Sequence, residues 1–238
     1  MRVLVTGAAG RVGRMVCPYL AQRHTLRLFD LVPAEAPEGE MWIGSILDRP
    51  ALAEAMAGME GVLHLAYGAR RGADAATFDE LSFDVNTKGT FFVAQAAAAA
   101  GVRRLVYTSS LSLYEGNMPA PGCQFTEEAP IAPVTSYALT KYLGEEVLRT
   151  ASRTSGLEVV CLRLTYPTWP EEWPKAASRW PGTIRTAAAD VAAACHLALV
   201  TPDLRFEVIH IASDTPGCPW DISKARRVLG YAPTFQFT

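Results

Sequence analysis

Arg2-Val3-Leu4-Val5-Thr6-Gly7-Ala8-Ala9-Gly10-Arg11-Val12-Gly13 decides how the rest of the chain is read. A short β-branched and Leu-rich run leads straight into glycines spaced G-x-x-G-x-x-G, and Met15 to Gln22 continue as a helix. Strand, glycine turn and helix in that order form a phosphate-binding βα unit. Gly7 makes the tight turn, Gly10 lets the backbone approach a pyrophosphate, and Gly13 lets the helix pack on the strand. The helix start then offers unpaired N–H groups and a positive dipole end to phosphates. Thr25 to Phe29 is a second strand ending at Asp30, 17 residues past Gly13, near the offset of about 20 residues for the acid that binds an adenosine ribose. A carboxylate there repels a 2′-phosphate, and neither Leu31 nor Val32 offers a compensating cation, so the cofactor is read as NAD rather than NADP. A plain glycine-rich turn with an aspartate capping the strand end is the alternative reading of the same residues.

Outward from this unit, strands and helices alternate. Met41–Ile43 reads as a third strand, a helix from about Pro50 to Ala57 follows the cap residue Asp48, and Gly61–Ala66 reads as a buried fourth strand. His64 inside it reads as a core histidine. Arg70 and Arg71 lie in a loop at the end of that strand, as solvated charges or as contacts for an anion. One long helix is expected from about Thr77 to Ala100, closed by Gly101, then a fifth strand over Val102–Thr108, a proline-rich loop over 117–134, a helix from Ser136 to about Arg153, and a sixth strand over Glu158–Leu164. The segment Tyr166–Gly182 is irregular, with Trp169, Trp173 and Trp180 each followed by proline, and fits a lid or structural packing. A helix from about Ala187 to Val200, a strand over Phe206–Ile211 and a short helix closing at Gly230 complete the chain. The fold class is therefore α/β, a doubly wound parallel sheet of the Rossmann type, with residues 1–238 as a single domain.

Composition agrees. The 238 residues are ample for one such domain, and half of them are hydrophobic. A net charge of −2 and a pI of about 6.1 leave no electrostatic footprint for a nucleic-acid partner. Apolar runs stop well short of about 18 residues, so no membrane span is expected. The first residues enter a strand directly, so no signal peptide is expected either. Cys17, Cys123, Cys161, Cys195 and Cys218 are scattered without C-x-x-C spacing and read as reduced thiols of a cytoplasmic protein. No metal site is read. Cys195-His196 lies in an Ala-rich helix with no second ligand pair and fits a packed core.

Chemistry enters with Ser136-Tyr137-Ala138-Leu139-Thr140-Lys141. On a helix, Tyr137 and Lys141 lie one above the other. A free phenol titrates near pH ~10, and an adjacent ammonium is expected to bring it down toward the range of a useful base. The spacing by itself does not separate this device from two residues on a solvated helix.

T-G-A-A-G-R-V-G at Thr6–Gly13, Asp30, H-L-A at His64–Ala66, N-T-K-G-T at Asn86–Thr90, T-S-S…Y-E-G at Thr108–Gly116 and Y-A-L-T-K at Tyr137–Lys141 occur in this order. Together they resemble the extended short-chain dehydrogenases, the NAD-dependent epimerase/dehydratase family, over nearly the whole chain. The resemblance implies that Tyr137 is the catalytic acid/base and Lys141 its electrostatic partner and a nicotinamide-ribose contact. It implies that Ser110 bonds the substrate oxygen. It places NAD against Gly7, Ala9, Gly10, Arg11, Val12 and Gly13, against Asp30, Ser45 and Ile46 at the adenosine, and against Leu65, Ala66, Asn86 and Thr108. Ser45 departs from the aspartate many members carry. The region available for substrate, residues 166–186 and 212–238, is smaller than in nucleotide-sugar enzymes and is similar in size to that of the compact uronate dehydrogenases. The reading is an NAD-dependent oxidoreductase acting on a hydroxyl carbon of a small sugar or sugar acid, a homodimer paired through the two long helices. A nucleotide-sugar 4-epimerase and a non-catalytic NAD-binding redox sensor are the alternatives.

Overall fold

Seven apolar runs hydrogen-bond side by side into one parallel sheet in the computed structural model, which describes residues 1–34, 39–68, 74–120, 122–175 and 184–235. They are β1 (Arg2–Thr6), β2 (Thr25–Asp30), β3 (Glu40–Ile43), β4 (Gly61–His64), β5 (Arg104–Ser110), β6 (Glu158–Leu164) and β9 (Phe206–Ile211). The order across the sheet is β3-β2-β1-β4-β5-β6-β9, with every pair parallel. Side chains alternate across a strand, so Val3 and Val5 enter one core layer and Leu4 the other, as do Val160 and Leu162 against Val159 and Cys161. The first layer packs under α1 (Arg11–Ala21), and the second under α2 (Arg49–Met56). Burial on both faces explains why these strands read as continuous apolar runs rather than alternating ones.

The reversal of strand order falls between β1 and β4. Their C-terminal ends therefore open a crevice where ligands of such sheets bind. β4 stops at His64, two residues before the expected end, and β5 runs on to Ser110 because Ser109 and Ser110 continue the ladder with Arg163 and Leu164. The single helix expected over Thr77–Ala100 is instead three pieces: α3 (Ala75–Leu81), a π-helical stretch Ser82–Gly89, and α4 (Thr90–Ala99). Asp74 starts it by accepting from Thr77 N at 2.8 Å. The wider turn changes which face of the helix meets the sheet, and within it Asn86 is fully buried.

α5 (Ser136–Ser155) starts at Thr135, whose hydroxyl accepts from Ala138 N at 3.1 Å, and ends at left-handed Gly156. α6 (Ala188–Val200) and α7 (Ser223–Leu229) follow the predicted positions. The C-terminal ends of the chain's last segments are tied into the first core layer by Trp220, Ile222, Ala225, Leu229 and Tyr231. Between β6 and α6, β7 (Pro167–Thr168) and β8 (Thr186–Ala187) pair in a two-stranded ribbon. Arg70, Arg71 and Trp180 lie outside the described residues.

Buried polar groups are largely matched. His64 is a core histidine: Nδ1 meets Thr6 Oγ1 at 2.7 Å and Nε2 meets Thr90 Oγ1 at 3.0 Å. Arg104, fully buried, donates to Ala198 O at 2.6 Å and Thr201 O at 3.0 Å, tying off the C-terminal carbonyls of α6, and pairs with Glu158. All five cysteines are free and four are buried. Burial pushes Cys17 and Cys195 up to about 12, so these thiols stay protonated. His196 departs from the expected core packing: it is half-buried, its Nδ1 2.9 Å from Nε2 of His24. Among the described residues no helix is long and apolar enough to cross a membrane.

Candidate active site

A single crevice of about 1310 Å³ runs along the C-terminal ends of β2, β1, β4 and β5 to the start of α5. At its middle, Gly7 turns the chain with φ +75°, and a Cβ there would sit 2.5 Å from Ala66 N. Only glycine permits both the conformation and the approach. Gly10 precedes α1 in an extended conformation with no side-chain cap, so the first N–H groups of the helix stay available to an anion. Gly13 does not line the crevice. A Cβ on it would lie 2.2 Å from Ala8 O, so its part is close packing of α1 on the turn. Ala9, Arg11 and Val12 line the crevice beside it.

Asp30 stands at one end. Its Oδ2 accepts from Ala9 N at 2.9 Å and its Oδ1 from Leu31 N at 2.7 Å, which holds the carboxylate at the edge of the crevice. Ser45 and Ile46 line the same end, but Ser45 Oγ is turned into its own loop, accepting from Leu47 N at 3.1 Å. Leu65, Ala66 and Thr108 form the floor.

The other end gathers the predicted catalytic groups from three elements. Ser110 ends β5, and its Oγ is 2.8 Å from Ser112 Oγ, accepts from Ser112 N at 3.1 Å, and lies near enough to the Tyr137 phenol to favour its ionised form. Tyr137 lies in the first turn of α5, its ring edge-on to Tyr67 with centroids 6.1 Å apart. Lys141, one turn on, donates from Nζ to Thr108 O at 2.8 Å and sits 4.7 Å over the Tyr107 ring. Asn86, expected among the cofactor contacts, does not line the crevice. Its Oδ1 accepts from Gly68 N at 2.9 Å and its Nδ2 donates to Thr140 Oγ1 at 3.0 Å, so it braces the loop after β4 against the back of α5.

The electrostatics differ from the expectation for the Tyr–Lys pair. Burial raises the Tyr137 phenol to about 12, and the nearby Ser110 hydroxyl opposes this only in part. Burial also lowers Lys141 to about 7, with the carboxylate of Glu145 working against the fall. The ammonium is bound to a backbone carbonyl rather than to the phenol, and desolvation is the largest influence on both groups. One consequence is measurable. The folded-state pKa of Lys141 lies below the unfolded value near ~10.5, so its burial costs nothing above that value, costs progressively more as pH falls, and costs the full amount below about 7. Lys141→Met in the cofactor-free protein should therefore raise the melting temperature, relative to the unmodified protein, by about 2 °C or more at pH 6 compared with pH 9.5. Thermal scans at the two pH values showing no such difference would contradict the buried, weakly basic lysine.

Two features of the site carry no motif and escaped sequence reasoning. Arg11 reaches across the crevice to the segment after β6: Nε and Nη2 donate to Pro167 O at 3.3 and 3.2 Å, Glu172 forms an ion pair with it, and the guanidinium lies 4.8 Å over Trp169. Behind α5, Glu145 is fully buried and takes both Nε and Nη2 of Arg163, at 2.9 and 2.7 Å. An arginine and a glutamate 18 residues apart leave no local pattern to read.

The residues present fit a dinucleotide: a glycine cradle that a Cβ would fill, an uncapped helix start for the pyrophosphate, and a carboxylate at the ribose end. The sequence model of the NAD dependent epimerase/dehydratase family matches residues 3–191. A protein of Sinorhizobium fredii, y4nG, is 32% identical over 163 residues, and the match spans 67% of this chain and 39% of that protein. A uronate dehydrogenase of Pseudomonas syringae is 27% identical over 98% of this chain and 81% of its own length. The crystal structure of a short-chain dehydrogenase/reductase superfamily protein from Agrobacterium tumefaciens, with bound NAD, superposes with a TM-score of 0.82 at 27% identity, covering 100% of this chain and 94% of that one.

Proposed function

We propose, for a chain that belongs to the NAD dependent epimerase/dehydratase family, that it is a dehydrogenase oxidising a hydroxyl-bearing carbon of a small sugar or sugar acid. NAD is the cofactor and supplies the hydride acceptor when bound. The observation that carries this reading is the meeting of Ser110, Tyr137 and Lys141, from β5 and α5, at one end of a crevice whose middle and far end hold the Gly7–Val12 turn and Asp30. In this reading Ser110 Oγ donates to the substrate oxygen and Tyr137 Oη takes the hydroxyl proton as the carbon loses hydride. The phenol must lose its own proton before it can accept another, and burial, which raises it to about 12 in the cofactor-free protein, opposes that loss. A positioned acid–base group of this kind contributes about 10²–10⁴-fold. From the two regions expected to supply the substrate pocket around one NAD-binding domain, Tyr166, Pro167, Ile184, Gly217, Pro219 and Trp220 line the crevice. The test is NADH absorbance with a panel of free sugars, sugar acids and nucleotide sugars. Turnover confined to nucleotide sugars would replace this reading with the epimerase-like one.

The choice of NAD over NADP rests on Asp30, flanked by the exposed and uncharged Leu31 and Val32. Asp30→Ala should narrow the preference, because it removes the charge facing a 2′-phosphate. Calorimetric titration of both nucleotides checks this, and tighter NADP binding by the unmodified protein would refute it.

A homodimer paired through the helical run from α3 to α4, expected as one helix over Thr77–Ala100, and through α5 belongs to the same proposal. Phe83 and Phe91 are each 44% exposed and Leu139 37%, an apolar cost that a second copy would relieve. Light scattering should give twice the monomer mass at micromolar concentration. The five free cysteines fit a cytoplasmic location.

A further inference from the structure

One carboxylate in the substrate end of the crevice has no use in the reaction described above. Glu115 follows the 3₁₀ turn Leu111–Tyr114, and its position is set by backbone bonds on both sides: Glu115 N to Ser112 O at 3.2 Å and Gly116 N to Ala132 O at 2.9 Å. Its side chain lines the crevice together with Ser112, Met118, Thr135 and Tyr137. Among the described residues it makes no hydrogen bond and no ion pair. Its charge reaches the Tyr137 phenol, whose loss of a proton it opposes, and its own pKa is raised by partial desolvation. The described crevice also presents the hydroxyls of Ser110 and Thr165 and the aromatic and apolar side chains of Tyr67, Tyr166, Ile184 and Trp220. The cations of the described wall are Arg11 and Arg14, at the start of α1, and Lys141, which is held on Thr108 O.

We propose that Glu115 is a specificity-determining residue that selects neutral polyhydroxy substrates, accepting hydrogen bonds from their hydroxyl groups and rejecting substrates that carry a carboxylate. This rests on the dehydrogenase reading and refines it. A ligand entering the crevice strips water from Glu115, and a desolvated carboxylate left without donors is costly. A sugar bearing vicinal hydroxyls supplies donors. A uronate brings a second negative charge to a site where the described wall has no uncommitted cation beside Glu115, and like charges in a partly desolvated crevice repel strongly. At C6 an aldose offers a hydroxyl that can donate, whereas a uronate offers only acceptor oxygens and a charge, so a site built around an acceptor discriminates between them where that carbon meets Glu115.

Matched pairs that differ only in the group at C6, glucose with glucuronate and galactose with galacturonate, isolate the effect. The unmodified protein should have a kcat/KM for the better aldose at least about 10-fold above that for its uronate. Glu115→Gln, which keeps the shape and removes the charge, should narrow that ratio by about 10-fold, and Glu115→Lys should invert it. Glu115 is solvent-exposed, so neither change threatens the fold. A ratio within about twofold of the unmodified protein's in both variants, or a uronate preference in the unmodified protein, overturns the proposal and leaves the dehydrogenase reading standing. If no sugar is oxidised, the dehydrogenase reading fails. The same pairs are then titrated by calorimetry into NADH-loaded protein, where aldose selectivity lost in Glu115→Gln supports the filter. Equal affinities, or no binding by either member, overturn it as well.

Discussion

Tyr137→Phe should lower turnover by about 10²-fold or more on any substrate the enzyme accepts. The substitution removes one oxygen. It leaves the ring edge against Tyr67, and it leaves every feature at the nucleotide end untouched: Gly7, Gly10, the start of α1 and Asp30. NAD affinity by calorimetry and the melting temperature should therefore stay close to those of the unmodified protein. The pairing of lost turnover with retained binding is the signature of an interaction made only as the reaction proceeds. Ser110 keeps Ser112 as partner at 2.8 Å in this variant, so its hydroxyl is not stranded. Full turnover in Tyr137→Phe would sink the proposed proton transfer and return Tyr137 and Lys141 to an ordinary pair on a helix.

Glu145→Ala should be the most damaging single change to stability, costing about 3–5 kcal/mol. Glu145 is fully buried and Arg163 is 3% exposed. Removing the carboxylate strands a guanidinium whose Nε and Nη2 lose both acceptors, while Nη1 keeps Tyr114 Oη and Glu127 O. For a domain of this size the loss corresponds to a fall of about 10 °C in melting temperature. Glu145→Gln keeps the shape and one acceptor and should cost less, which separates charge from packing. Because the Glu145 carboxylate also holds the Lys141 pKa up, its removal should push that lysine further toward the neutral form. Urea unfolding checks the first effect, and a midpoint for Glu145→Ala within error of the unmodified protein would show that the pair is not the anchor of α5.

Glycines at 7, 10 and 13 between a strand and a helix, Asp30 one strand later, and the Tyr137–Lys141 spacing were legible because each is a local requirement. A left-handed turn, a missing Cβ, a strand-end acid and an i to i+4 pair are all written in neighbouring residues. Alternation of apolar runs with helical stretches likewise reveals a doubly wound sheet, since buried parallel strands are apolar on both faces and each must be followed by a crossover. β6 and β9 carry the boundaries their sequences imply.

What the chain does not encode locally is anything set by contact between distant segments. The π-helical stretch Ser82–Gly89 has no breaker to announce it. It is where Asn86 can bond both Gly68 N and Thr140, and where Gly89 can press on Ile46, whose Cδ1 would be 2.5 Å from a Cβ at that position. The bracing role of Asn86, the reach of Arg11 to Glu172 and the buried Glu145–Arg163 pair join segments remote in sequence, so spacing is silent about them. The protonation of the Tyr137–Lys141 pair belongs to the same class. Spacing puts the two side chains on one face, but desolvation in the folded protein decides that the phenol lies high and the lysine low, and desolvation is a property of the whole packed neighbourhood.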